Sequence, residues 1–236
     1  TEIYTLSLHD ALPISIKNLE LRYKDNTVIS KLTCDIAAHK ISYIIGSNGA
    51  GKSTLVKTLI GTLKPHTGTI RIFGKPLDSK AIAEHVGYVP QYSSIDRSFP
   101  ITVNEMIALE CNQKTHCNIG ILGHLKIFNA EKLINKKISE LSGGELQKAL
   151  IARALVTNPE ILILDEPFNN LDHKTEFDLI ALLKNLEAEH GKTIIFVTHD
   201  LSIINLENAN ALYLNHGTGV YGQAKEVVKE HQLMKI

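Results

Sequence analysis

The chain has 236 residues, 25 basic and 25 acidic, so its formal net charge is zero and gives no electrostatic case for a nucleic-acid partner. No apolar run approaches the roughly 20 residues of a membrane-spanning helix, and the length suits one α/β domain with an inserted subdomain. Cys34, Cys111 and Cys117 are an odd number, which suits reduced thiols in a cytosolic compartment better than a disulfide framework.

Thr1 to Ile14 back-translates into the sequence of a short-read sequencing adapter. It lacks the basic residues that open a signal peptide, and His9 and Asp10 interrupt its apolar residues. An artefactual N-terminus is therefore expected over residues 1–15, ahead of the domain. Without Glu2 and Asp10 the remainder carries 25 − 23 = +2.

From Ile16 to Tyr23 the apolar residues alternate with some irregularity, as in a half-buried strand, and Val28 to Ile36 reads as its partner across a Lys24-Asp25-Asn26 turn. Ile41 to Ile45 is short and β-branched, and ends at Gly46, which suits a buried strand feeding a loop. A helix is expected over Lys52–Leu63, with Gly61 near its end and Pro65 beyond. Gly68 to Phe73 and Val86 to Val89 read as further strands.

After Gln91 the pattern turns helical, with helices expected over Ile101–Leu109, Glu131–Ile138 and Glu145–Asn158. Cys111, His116 and Cys117 lie in a loop between the first two. They lack a second Cys/His pair at metal-ligand spacing and read as chance clustering. The fully apolar Ile161–Leu164 marks a buried strand. A helix over Lys174–Glu189 and strands at Thr193–Val197 and Leu212–Leu214 complete the chain.

Gly46-Ser47-Asn48-Gly49-Ala50-Gly51-Lys52-Ser53-Thr54 matches the phosphate-binding loop G-x-x-x-x-G-K-[ST] at every fixed position. Gly49 and Gly51 let backbone N–H groups crowd around phosphate oxygens, and the helix starting at Lys52 adds its N-terminal dipole. Lys52 suits the β- and γ-phosphates, and the Ser53 hydroxyl suits Mg²⁺. Asp165 and Glu166 end an apolar strand at the sheet edge where open α/β folds bind ligands. Leu141-Ser142-Gly143-Gly144-Glu145 contains S-x-x-E, a capping box whose glycine-rich helix start can also bind an anion.

The phosphate loop followed by this LSGGE element resembles the ATP-binding cassette ATPases, the motor subunits of ABC transporters, over essentially residues 16–225. The resemblance implies a P-loop NTPase (RecA-like) α/β core, an N-terminal antiparallel β subdomain and an inserted α-helical subdomain. It gives one domain over 16–236, with its core in 16–91 and 158–236 and the helical part at about 92–157. ATP and Mg²⁺ are the implied ligands.

By that resemblance Asp165 holds Mg²⁺ and Glu166 orients or deprotonates the attacking water. His199, 34 residues after Asp165, falls where the family senses the γ-phosphate. Gln91 matches the loop that links Mg²⁺ and water to the helical part, and Tyr23 the aromatic that stacks on adenine. Ser142, Gly143 and Gly144 would face the ATP held by the Lys52 loop of a second copy. Glu145 stands where Gln is commoner. Asp172 fits the loop that crosses this dimer, while Asn169 and Asn170 depart from the commoner Ser-Ala.

Gly87-Tyr88-Val89-Pro90-Gln91 with Ile95, Asp96, Phe99, Pro100, Thr102 and Val103 is similar to cassettes of zinc and manganese importers, as is Thr175-Glu176. The implied partners are a second copy, integral membrane permease subunits and, indirectly, a substrate-binding protein. The implied location is the cytoplasmic face of the cell membrane. The competing readings are a cassette for an iron chelate or a lipoprotein, and a soluble ABC ATPase of iron–sulfur assembly.

Overall fold

The computed structural model describes residues 12–23, 26–111, 120–169, 171–204, 206–215, 217–231 and 233. Most of the suspected adapter segment, the Lys24-Asp25 turn, His116, Cys117 and Asn170 lie outside these residues, as does the side chain of Cys111. The strands are β1 (Ile14–Tyr23), β2 (Asn26–Ile36), β3 (Ile41–Gly46), β4 (Thr67–Ile72), β5 (Lys75–Pro76), β6 (Val86–Val89), β7 (Ile161–Asp165), β8 (Thr193–Thr198), β9 (Asn210–Asn215) and β10 (Thr218–Gln223). The helices are α1 (Lys52–Leu59), α2 (Ser79–His85), α3 (Val103–Cys111), α4 (Ile121–Ile127), α5 (Gly143–Leu155), α6 (His173–His190) and α7 (Ala224–Glu230). The chain forms two compact units, Thr1–Ile82 with Val197–Ile236, and Ala83–Phe196.

In the first unit an antiparallel sheet runs in the order β2-β1-β4-β5. The irregular alternation of β1 has a local cause. Its register slips between Ile16 and Leu19, and Asn18 takes a φ of 47° while its N–H bonds Thr33 Oγ1 at 2.9 Å. The slip lets Ile16, Leu19 and Leu21 all reach the buried side, as a β-bulge does. Ile14 takes the first place in β1, fully buried opposite Ile36 and Ile72.

A second layer of this unit places β9 between β10 and β3, with β3 and β9 parallel. Ile41 to Ile45 are all buried, and the Ser42 hydroxyl among them is within hydrogen-bond distance of the Tyr221 hydroxyl at 3.2 Å. The helix after the loop stops at Leu59, four residues before the expected Leu63. Gly61 takes a φ of 78°, and the Thr62 and Leu63 N–H groups both turn back to Lys57 O, closing the helix.

In the second unit β7 lies between β8 and β6, with β6 and β7 parallel and in register from Val86↔Ile161 to Val89↔Leu164. Between β6 and β7 the chain forms α3, α4 and α5 around Leu125, Phe128, Leu146 and Leu150, all fully buried. The helix expected over Glu131–Ile138 is absent. Only short 3₁₀ turns occur there, because the backbone pairs non-locally. Lys136 O accepts from Val103 N at 3.0 Å, Ile134 O from Asn104 N at 3.0 Å, and Ile138 N donates to Ile101 O at 3.0 Å. Carbonyls committed to the start of α3 cannot close helical turns of their own. α4 was not anticipated from the sequence.

Phe128 follows α4 and is among the largest side chains with no exposed surface. Truncating it leaves a cavity that a close-packed core fills poorly. Phe128→Ala should therefore cost about 3–5 kcal/mol, read as a lower urea midpoint with unchanged slope. An unchanged midpoint would show that this position does not organise the helical part.

Candidate active site

The phosphate loop lies between β3 and α1, in the first unit. Gly46 ends β3 in register with Leu214 of β9, and a Cβ there would stand 2.4 Å from the Leu214 carbonyl oxygen. Gly51 caps α1 with a φ of 101°, beneath Val28 and Ile29 of β2. Those two glycines answer to packing within the protein. Gly49 also has a positive φ, 82°, yet among the described residues a Cβ on it would meet no atom within 4 Å. A phosphate approaching backbone N–H groups needs such open space.

Lys52 is buried, and its ammonium donates to Gly46 O at 2.7 Å and Ser47 O at 3.0 Å. The cation is thus folded over the loop's own carbonyls. Ala50 N–H closes the turn onto Ser47 O at 3.1 Å. Ser47, Asn48 and Ser53 are exposed, and Thr54 is half-buried.

The carboxylates lie in the second unit. β7 delivers Asp165 and Glu166 at its end, both half-buried. Glu166 adopts a φ of 46°, in the left-handed region. For a residue with a Cβ that conformation costs on the order of 1–3 kcal/mol, and it persists only where surrounding contacts fix it. Two such contacts are amides: Gln91 Nε2 donates to Glu166 Oε2 at 2.6 Å, and Asn169 Nδ2 donates to the same oxygen at 2.7 Å. Sequence reasoning placed Gln91 and Glu166 in one site, and the structure brings them into direct contact. Asp165 accepts a hydrogen bond from the Tyr88 hydroxyl. Burial first, then the charge of Asp165, pushes that phenol up to about 12.

Ser142 caps α5. Its Oγ accepts from Glu145 N at 3.3 Å, and Glu145 Oε2 accepts from Ser142 N at 2.9 Å, completing the capping box. The Ser142 N–H, then Lys136, hold the Glu145 carboxyl below its usual range. A carboxyl with a depressed folded pKa adds stability above its unfolded pKa and loses it as pH falls through the folded one, so the box is intact at neutral pH. Gly144 has a steric reason of its own, since a Cβ there would lie 2.6 Å from Thr175 Cγ2. Asp172 in turn caps α6, accepting from Thr175 N at 2.9 Å and Thr175 Oγ1 at 2.7 Å.

Two residues make contacts that the sequence did not announce. Arg97 donates to the Tyr92 hydroxyl and to the carbonyls of Ser139 and Leu141, tying the segment after Gln91 to the one entering the capping box. Its partners lie up to 44 residues away, and no periodicity announces them. Asn169 was visible only as a departure from a resemblance. Tyr23 ends β1 with 59% of its surface exposed, and His199 is exposed after β8. Beside it, Asp200 accepts from Ser202 N and Oγ, which lowers its carboxyl pKa. Cys34 is buried, its thiol pushed up to about 12 by burial and then by Asp35. Among the described residues no group of three His, Cys, Asp or Glu could hold a metal, and no helix is long and apolar enough to cross a membrane.

The sequence model of the ABC transporter family matches residues 29–169, from within β2 to Asn169. The chain belongs to the ABC transporter ATPases. It is 34% identical to the zinc import ATP-binding protein ZnuC of Buchnera aphidicola, covering 94% of this chain and 89% of that one. Against zinc import ATP-binding protein ZnuC 1 of Aliivibrio fischeri it is 34% identical, covering 92% and 80%. Among solved structures, cbiO1 of Clostridium perfringens, part of the transporter complex cbiONQ, superimposes with a TM-score of 0.80 at 30% identity, covering 94% and 93%. A dimeric ATP-binding cassette bound to ADP and Pi gives 0.78 at 28% identity, covering 89% and 98%. This ABC ATPase thus has the P-loop NTPase fold of ATP-hydrolysing cassettes.

Proposed function

We propose that this ABC ATPase powers a zinc importer, working as a pair of identical copies held by a separate permease at the cytoplasmic face of the membrane. The observation that carries the cargo is 34% identity to two zinc import ATP-binding proteins over more than nine-tenths of the chain. The Gly87–Val103 stretch supports it, being similar to cassettes of zinc and manganese importers. A dimeric cassette among the structural neighbours supports the pairing. The chain's core is proposed as 16–91 and 158–236, with the helical part at about 92–157.

In this reading ATP stacks on Tyr23, and its phosphates take the N–H groups of Gly46 to Thr54 with the Lys52 ammonium on the β- and γ-phosphates. The residues fit a bound Mg²⁺ by the chemistry of their donors. Ser53 offers a hydroxyl, Asp165 a carboxylate and Gln91 an amide oxygen, the hard oxygen ligands that Mg²⁺ prefers. When bound there, Mg²⁺ neutralises charge on the phosphates. Glu166 takes a proton from the water attacking the γ-phosphorus, and the bond to the ADP oxygen breaks. His199 contacts the γ-phosphate, and Ser142, Gly143, Gly144 and Asp172 act on ATP held by the facing copy.

Cells lacking this gene should grow poorly under zinc chelation and recover on added zinc, provided no second importer is present. Recovery with manganese instead would transfer the same machinery to the other metal. Normal growth with normal cellular zinc and manganese would refute metal import. The permease and binding protein choose the cargo, so the ATPase activity of the purified chain tests only the ABC ATPase itself.

A further inference from the structure

The contact that the family resemblance does not supply is Asn169 on Glu166. β7 ends, Glu166 turns into the left-handed region, and Pro167 follows. Phe168 anchors the turn on Phe196, with ring centroids 5.5 Å apart, and Asn169 N–H closes it onto Glu166 O at 3.4 Å. From that position the Asn169 amide reaches back to Glu166 Oε2 at 2.7 Å. Gln91 Nε2 reaches the same oxygen at 2.6 Å from a loop 75 residues away in sequence.

The two donors are not equivalent. Mg²⁺ can take Gln91 only through its amide oxygen, and turning that oxygen to the metal carries the N–H₂ with it. Asn169 sits three residues from Glu166 on the same turn and moves with it. An amide also donates at any working pH and never competes for the proton that Glu166 must accept. We propose that Asn169 is a positioning residue for Glu166, holding the carboxylate in its proton-accepting orientation while Gln91 turns to the metal. The inference rests on the reading of Glu166 as the base.

The test is steady-state MgATP hydrolysis by the full chain carrying Asn169→Asp, Asn169→Ala or Asn169→Ser, with MgADP affinity by calorimetry and thermal midpoints alongside. Asn169→Asp keeps the shape and replaces the donor with an acceptor. It should lose at least as much kcat as Asn169→Ala, about tenfold or more for one hydrogen bond to a charged group. KM and MgADP affinity should stay within about twofold, because ground-state binding does not use this contact. Asn169→Ser, with a shorter donor, should recover part of kcat.

A wild-type kcat in Asn169→Asp would overturn the proposal, because it would show that shape alone matters. A parallel fall of kcat, MgADP affinity and thermal midpoint in all three variants would overturn it too, by showing a purely structural role. Glu166→Gln separates the two readings. If that variant hydrolyses ATP normally, the base assignment itself fails. If it is inactive while Asn169→Asp is normal, only the role of Asn169 fails.

Discussion

Glu166→Gln should bind MgATP as tightly as the wild type and hydrolyse it at least about 100-fold more slowly, the loss expected when a positioned base is removed. The site is prepared for this substitution. Both amide donors, from Gln91 and Asn169, converge on one oxygen, Oε2, and a glutamine oxygen in that place can accept both. The left-handed backbone at 166 stays as it is, since glutamine and glutamate have the same branching. What is lost is the ability to take a proton. ATP-bound pairs should therefore accumulate, visible as a dimer in sedimentation with MgATP and absent with Lys52→Ala. Lys52→Ala removes the phosphate cation together with two bonds to the loop carbonyls, so it should fail at binding. Normal turnover in Glu166→Gln would remove Glu166 from the chemistry.

The parts of this site that were legible in the sequence are those in which chemistry and local structure coincide. The run Ile41–Ile45 before Gly46 could be read as a buried strand feeding a loop, because strand burial, glycine and helix start follow one another within a few residues. Ile161–Leu164 before Asp165 was legible for a different reason, four consecutive apolar residues, all of them buried. The S-x-x-E spacing of Ser142 and Glu145 gave a capping box, and the structure forms both of its bonds. What failed was non-local. Glu131–Ile138 carries a helix-like pattern, but its backbone is spent on residues 101–104, a pairing no window of sequence displays. Arg97 was missed for the same reason. The role of Asn169, only three residues from Glu166, was missed because residue type does not report the left-handed turn that brings its amide back. Their roles depend on which carbonyl or carboxylate the fold brings near, and residue type alone does not report that.

Mixing two inactive variants should restore activity. If each ATP is held by the Lys52 loop of one copy and the Ser142 end of α5 in the other, then Lys52→Ala and Ser142→Arg damage the same site from opposite sides. Ser142→Arg removes the N-cap of α5, worth about 1 kcal/mol, and puts a long cationic side chain where phosphate should meet the helix N-terminus. Any pair made of one variant alone would carry a defect in both sites, so each pure variant should show almost no ATPase activity. A mixed pair gathers both defects into one site and leaves the other with an intact lysine and an intact serine. In an equal mixture half the pairs are mixed and each has one working site, so about a quarter of wild-type activity should return. Titrating one variant into the other should trace a maximum near equal amounts. Activity that stays at the level of the pure variants at every ratio would refute two independent sites, each built from both copies.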